Sequence, residues 1–265
     1  MSTFTPQILR FDSLPSTNVE AARRAVEGAP EGLCVVASEQ TAGRGRRERH
    51  WVSPKDAGLY FSIILRPQME QSGWPLLTLM AGVAVYDALL DSCGLVSDIK
   101  WPNDILANGR KLCGILAETV DTAMGRAVVV GIGINLRNKS FPSELDRVAT
   151  SIEAETGEMP NLEAVLDALI RAFAWHYQVL QLPAGPEDIV TTWSGHSSYG
   201  TGKQIQVTDT NETFAGTTRG LERDGALRVE TDAGEIRIVR AGDVASVRPS
   251  DAAGTRASVW KAECK

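Results

Sequence analysis

Up to about position 195 the chain alternates two kinds of hydrophobic run, continuous apolar stretches and amphipathic ones. "GLCVVASEQ" (32–40) and "GLYFSIILRP" (58–67) are apolar, rich in β-formers and bounded by glycine or proline, which predicts strands. "KLCGILAET" (111–119) and "RAVVVGIGINL" (126–136) read as buried strands, with Asn108-Gly109 as a hairpin turn before the first. Helical spacing marks "LPSTNVEAARRAVEGAP" (14–30), where Thr17 and Glu20 have capping-box spacing and Gly28 and Pro30 end the pattern. Further helices are expected over 74–94, over 160–180 beginning at a proline, and over 186–196. After that the period becomes two. "KQIQVTD", "ETFAGTTRGLE", "ALRVETD", "EIRIVRA" and "VASVRP" form short strand candidates separated by turn pairs such as Asp224-Gly225. About five strands in some fifty residues suggest a small barrel appended to an α/β domain.

Composition narrows the function classes. The 265 residues are 43% hydrophobic and 23% charged, enough for one large domain or one large and one small. Lys and Arg number 27 against 33 Asp and Glu, a net charge of −6, and the isoelectric point is near 5.2. A surface that binds nucleic acid or anionic lipid throughout draws on summed basic charge, so any basic site here is local. Cys34, Cys93, Cys113 and Cys264 lie far apart without a C-x-x-C pair, which suggests neither a disulfide framework nor a zinc site and fits a reducing cytosol. The N-terminus lacks a basic region followed by an apolar run, and no segment is expected to reach membrane-spanning length. A soluble cytoplasmic protein with no membrane partner is expected.

The local basic site is "TAGRGRRERHW" (41–51), four arginines and two glycines in the loop between the first two apolar runs. Gly43 and Gly45 alternate with Arg44 and Arg46, which lets backbone N–H groups approach a ligand. Guanidinium groups bind carboxylate and phosphate bidentately and stay charged, so clustering them calls for a polyanion. Trp51 is placed to stack on a flat ring or to serve as plain core. In "KWPNDILANGRKLCG" (100–114), Pro102 sets an extended segment and a turn from which Asn103 and Asp104 face a cleft, an ordinary turn being the alternative. Lys111 enters a buried strand and needs an anionic partner there, such as a phosphate or an acyl oxygen. "GIGIN" (131–135) is a glycine-broken strand end that admits another backbone or a ligand, with Asn135 placed to read a base edge.

"GRGRRERHW", "KWPNDIL", "KLCGILAE" and "GIGINL", in this order and at these separations, resemble the biotin protein ligases over residues 12 to about 249. "TTRGLERDGAL" followed by "SVRP" resembles the family's C-terminal SH3-like domain. The resemblance implies an α/β (α+β) fold: a mixed β-sheet with flanking helices in a class II synthetase-like catalytic domain (1–197), an SH3-like β-barrel (198–250) and a tail (251–265). It implies an ATP-dependent enzyme that joins biotin and ATP into biotinyl-5′-AMP and pyrophosphate. The acyl group then passes to a lysine of the biotin carrier domain of a carboxylase.

Site roles follow from the same resemblance. Arg44, Gly45 and Arg46 wrap the biotin acyl chain and phosphate, Arg49 assists, and Lys111 stabilises charge on the carboxylate and α-phosphate oxygens. Asp104 orients the arginines or a magnesium-bound phosphate, and Mg²⁺ travels with the ATP phosphates rather than in a protein cage. Asn103, Asn135, Trp51 and Arg248 belong to the nucleotide side. Ser16, Thr17, Asn18 and Gln40 suit the ureido ring, with Gly114 beside it; for Thr17 a helix-cap role can coexist with ligand binding.

Two departures stand out. Glu48 occupies a position that is glycine in many relatives. The motifs begin near residue 12, leaving no room in this chain for a helix-turn-helix domain, so no operator DNA is expected as a partner. Rival readings are a lipoate or octanoate ligase and a non-catalytic biotin sensor. A sheet edge that pairs two copies or faces the acceptor domain leaves a homodimer open.

Overall fold

Alternation of side chains along the central strands decides the architecture. The structure, a computed structural model, describes residues 6–137, 145, 147–209 and 212–246. Its main sheet has seven strands in the order β1 (Gln7–Phe11), β2 (Leu33–Ala37), β3 (Gly58–Leu65), β7 (Gly125–Asn135), β6 (Arg110–Thr122), β5 (Asp104–Ala107) and β4 (Asp98–Lys100). β1 and β2 are parallel, joined through α1 (Thr17–Val26), and every other pairing is antiparallel, so the sheet is mixed.

Cys34, Val36, Leu59, Phe61, Ile63, Val128, Val130, Ile132 and Ile134 point to one face and form the main core with α2 (Leu76–Cys93) and α4 (Leu162–Leu180). Leu33, Val35, Ile64, Ala127 and Val129 point to the other, where Ala21 and Ala25 of α1 cover them. Because both faces are covered, β2 and β3 are buried along their whole length, which is why they read as unbroken apolar runs. On the α1 side of β7 the next two positions are Gly131 and Gly133, which leave an open cleft past the start of α1.

α2 corrects one expectation. Its 18 residues have a mean hydropathy of 1.5, long and apolar enough to cross a membrane. It is a core helix instead, buried between the sheet, α4 and α5 (Gly185–Gly195), and apolar on nearly all sides for that reason.

The capping box expected at α1 does not form. Ser16 is the N-cap residue, Thr17 turns its hydroxyl into the cleft, and Glu20 takes Arg23 and Arg24, which hold its carboxyl down at about 2. α4 begins at an Asn161 cap, whose side chain accepts from the Glu163 and Ala164 N–H groups, and not at Pro160. Four short elements lay below the reach of periodicity: β1 and α3 (Ile152–Thr156), with five residues each, β5, with four, and β4, with three.

The five strand candidates near the C-terminus are all present as β8 (Thr201–Thr208), β9 (Thr213–Leu221), β10 (Leu227–Thr231), β11 (Ile236–Val239) and β12 (Asp243–Ser246). They form an antiparallel sheet in the order β11-β10-β9-β8-β12. Its β9–β10 turn rests on the main sheet's partner helix: Trp101 Nε1 donates to the Gly225 carbonyl at 3.0 Å, and Gly225 packs against Leu76 and Leu79 of α2. This contact sets β12 beside the arginine loop.

Candidate active site

Strand parity places the cleft. Positions 114, 116 and 118 of β6, 131 and 133 of β7, and 62 of β3 all face the α1 side, and the cleft floor is built from them. A bulge in β6 then re-aims one side chain. Ile105 pairs with Cys113 and Leu106 with Lys111, so Leu112 is an extra residue; Leu112 and Cys113 both enter the core and Lys111 is turned out into the cleft.

Trp51 lies flat on this floor. A Cβ at Gly133 would stand 2.5 Å from its Nε1, and one at Gly114 would stand 3.1 Å from its Cζ3 and 3.3 Å from Lys111 Cε. The glycines of "GIGIN" thus admit the chain's own Trp51 and Asn18. The Trp51 indole N–H is buried and has no hydrogen-bond partner among the described residues.

A continuous string of polar side chains crosses the floor. Ser53 Oγ accepts from Gln40 Nε2 at 2.9 Å, and Gln40 Oε1 accepts from the Thr17 backbone N–H at 2.8 Å and its hydroxyl at 3.1 Å. Ser62 Oγ lies 2.7 Å from Thr17 Oγ1 and donates to Asn18 Oδ1 at 2.6 Å. Asn18 Nδ2 donates to the Leu116 carbonyl and to Glu118, which pairs with Arg44 at 2.8 Å. Asn18 is therefore fully engaged within the protein, and Ser16 is buried at the cap without a side-chain cap bond. Gly131→Ala tests this packing, because its Cβ would collide with Asn18 Oδ1. We expect a loss of about 1–3 kcal/mol in urea denaturation, the usual cost of overpacking, together with weaker ligand binding at the cleft.

The arginine loop is closed on itself by Gly45 N–H to the Arg49 carbonyl at 2.7 Å and Trp51 N–H to the Gly43 carbonyl at 2.9 Å. Arg47 and Glu48 adopt φ of 54° and 61°, so Glu48 carries a side chain at a left-handed position that glycine fills more easily. The arginines separate. Arg44 stays on Glu118, whereas Arg47 and Arg49 pair with Asp243 at the start of β12. Arg46 reaches between the two sheets, donating to Asn103 Oδ1 and to the Gly242 carbonyl, each at 3.3 Å. Burial pushes the Arg46 guanidinium below its ordinary value, and among the described residues it has no carboxylate partner.

Lys111 does find an anion, from within the chain: Asp104 Oδ1 at 2.6 Å, with the Trp51 ring 5.4 Å from its Nζ. Asp104 thus pairs with the lysine and not with an arginine. The lysine's backbone is fixed as well, its N–H on the Val148 carbonyl and its carbonyl on the Thr150 N–H. Asn135 Nδ2 donates to the Lys111 and Thr150 carbonyls, and Asn103 Nδ2 donates to the Ile115 carbonyl. Both asparagines are partly used in holding the strand that carries Lys111. Arg248 lies outside the described residues.

Residues that sequence reasoning missed include Ser53, Ser62, Glu118, Thr150 and Asp243. Ser62 carried a signal, as a lone hydroxyl inside an apolar run. Asp243 carried none, since its partners lie nearly 200 residues away, 194 for Arg49 and 196 for Arg47.

The geometry matches known proteins over nearly its whole extent. Residues 9–135 fit the Biotin/lipoate A/B protein ligase family, and residues 200–245 fit the Biotin protein ligase C terminal domain. A biotin–[acetyl-CoA-carboxylase] ligase of Paracoccus denitrificans is 38% identical over 86% of this chain and 96% of its own length. The chain belongs to the biotin protein ligase family. The bifunctional ligase/repressor BirA of Bacillus subtilis is also 38% identical, over 88% of this chain and 72% of that protein. The biotin protein ligase from Aquifex aeolicus, solved in complex with biotin and ATP, superposes with a TM-score of 0.81 at 25% identity, covering 92% of this chain and all of that one. The mixed sheet with flanking helices and the separate C-terminal antiparallel sheet are the fold of this ligase family.

Proposed function

We propose that this ligase activates biotin with ATP to biotinyl-5′-AMP and passes biotin to a lysine of the biotin carrier domain of a carboxylase. The observation that carries the reading is the juxtaposition of two unlike surfaces in one cleft. The polar string from Ser53 through Gln40, Thr17 and Ser62 offers short donors and acceptors at fixed positions, as a ureido ring requires. Beside it stand Lys111, held by Asp104, and Arg46, held by Asn103 and the Gly242 carbonyl. A carboxylate attacking the α-phosphorus of a nucleotide brings like charges together, at about 4 kcal/mol for each pair 4 Å apart at an effective dielectric near 20. Fixed cations offset this by electrostatic preorganisation, without covalent catalysis. We assign Mg²⁺ to the ATP phosphate oxygens, and the sheet with β8–β12 to a second domain beginning near residue 198. The cytoplasm is the compartment this reading calls for. Beyond Ile115, whose N–H and carbonyl meet Asn103, β6 pairs among the described residues with β7 alone, and we assign its other edge to the carrier domain or to a second copy in a homodimer.

ATP–pyrophosphate exchange with the purified protein and Mg²⁺ tests the first half-reaction without an acceptor. Exchange with biotin, and not with lipoate, octanoate or no acid, is expected. Exchange with lipoate or octanoate alone would move the chain to the lipoate branch, and none in folded protein would point to a sensor.

A further inference from the structure

Lys111 sits at a thinly supported point of its strand. The ladder of β6 with β7 begins only at Cys113, and the bulge at Leu112 interrupts the ladder with β5. Lys111 leans instead on a single parallel bridge to Ala149, made by the Val148 carbonyl and the Thr150 N–H. A bridge of one residue specifies little register by itself. Something has to hold residues 148–150 against the start of β6.

Glu155 of α3 does so. Its side chain is 3% exposed, and a carboxylate so buried is costly unless its oxygens are met. Oε1 accepts from Arg110 Nη2 at 2.7 Å and from the Thr150 hydroxyl, and Oε2 accepts from Asn108 Nδ2 in the turn between β5 and β6. One carboxylate thus joins the turn that starts β6, the residue before Lys111, and the residue whose N–H bonds the Lys111 carbonyl. Arg110 and Lys111 are neighbours on a strand, so their side chains leave on opposite sides, Arg110 toward α3 and Lys111 toward Asp104 and Trp51 in the cleft. The grip on the lysine is therefore on its backbone, from behind. α3 is itself well seated: the Ser151 side chain caps it, the Glu153 N–H bonds the Leu136 carbonyl, and Ile152 is buried in the main core.

We propose that Glu155 is a positioning residue for adenylation, one that fixes where the Lys111 ammonium stands in the cleft. The inference rests on the reaction proposed above, in which Lys111 meets the charge on the carboxylate and α-phosphate oxygens. A preorganised cation stabilises that charge without having to move, and a displacement of about 1 Å forfeits much of the advantage. Glu155 itself meets no reacting atom.

Single-turnover adenylation at saturating biotin and ATP tests the assignment. Glu155→Ala should slow the step about ten- to a hundredfold, the scale of a small misplacement of a catalytic group. Glu155→Gln, which still offers an oxygen to Thr150 and Arg110, should recover most of that loss. Calorimetric binding of biotin should keep its stoichiometry, which counts folded sites, and an affinity within about threefold, so that the loss falls on the rate and not on ground-state binding. Thr150→Val cuts only the tie from Glu155 to the segment that bonds Lys111, and should show the same pattern on a smaller scale even if the alanine variant does not fold. The deciding comparison is made in Lys111→Met, where adding Glu155→Ala or Thr150→Val should cost no more than about a further twofold, because each acts through a lysine already removed. A merely structural glutamate would slow both backgrounds by the same factor, and that result would overturn the proposal, as would an unchanged rate in Glu155→Ala or Thr150→Val alone. No adenylation by the unaltered protein would overturn the adenylation reading itself, and this assignment with it.

Discussion

Replacing Lys111 by methionine should slow formation of biotinyl-adenylate by about 10²- to 10³-fold, or about 2.7–4 kcal/mol, the usual effect of deleting one preorganised donor from a developing anion. The lysine is fixed from three sides, by the β6 bulge, by Asp104 at 2.6 Å and by backbone bonds to Val148 and Thr150. Little reorganisation is left for the reaction to drive. Deletion has a second effect, because it leaves the Asp104 carboxylate facing an incoming triphosphate with no partner. Part of the loss is therefore repulsion, and Lys111→Met combined with Asp104→Asn should recover some of it, a coupling that a double-mutant cycle reads directly. Biotin affinity should fall far less than the rate, since the polar string proposed for the ureido ring is a separate set of side chains. Single-turnover adenylation with rapid quench measures the step, and a normal rate in the single variant would remove Lys111 from the chemistry.

Legibility in the sequence followed the range of the interactions. Long strands and helices were readable because both faces of β2 and β3 are buried and because α1 and α4 are amphipathic, and such patterns survive in a local window. Turns with one solution were readable too: Asn108 and Gly109 both take positive φ between β5 and β6. The arginine loop, Lys111 and the glycines of "GIGIN" announced themselves as residues that are out of place unless something meets them. What met them was not readable. Lys111 was matched to a phosphate or an acyl oxygen when its partner is Asp104, and Gly131 and Gly133 were matched to another backbone or a ligand when they admit the side chains of Asn18 and Trp51. Spacing that looks like a cap at Thr17 was overridden by Gln40 and Ser62, which reach it from other strands and loops. Periodicity reports which face a residue takes, and only the assembled sheet reports its neighbour across the cleft.

The same distinction between chemistry and enclosure governs Arg46. Its guanidinium joins three separate pieces: the arginine loop, Asn103 in the turn after Pro102, and the Gly242 carbonyl just before β12. Arg47 and Arg49 fasten that loop to Asp243 beside it, so the loop, the turn and the second sheet close over the cleft together. Arg46→Gly removes the central clasp but leaves Lys111 and Asp104 in place. Adenylation should then continue while biotinyl-adenylate escapes roughly 10- to 100-fold faster, the effect of losing one or two charge-assisted contacts. The free mixed anhydride would acylate exposed lysines on any protein present. Arg46→Lys should lie between, because it keeps the charge but loses the planar guanidinium whose Nη1 meets both oxygen acceptors. A chase of enzyme-bound adenylate, with serum albumin added as a bystander and probed for biotin, reads both quantities at once. Unchanged release with unchanged bystander labelling would mean that the loop does not enclose the intermediate. In that case the buried charge of Arg46 would be required only for binding ATP.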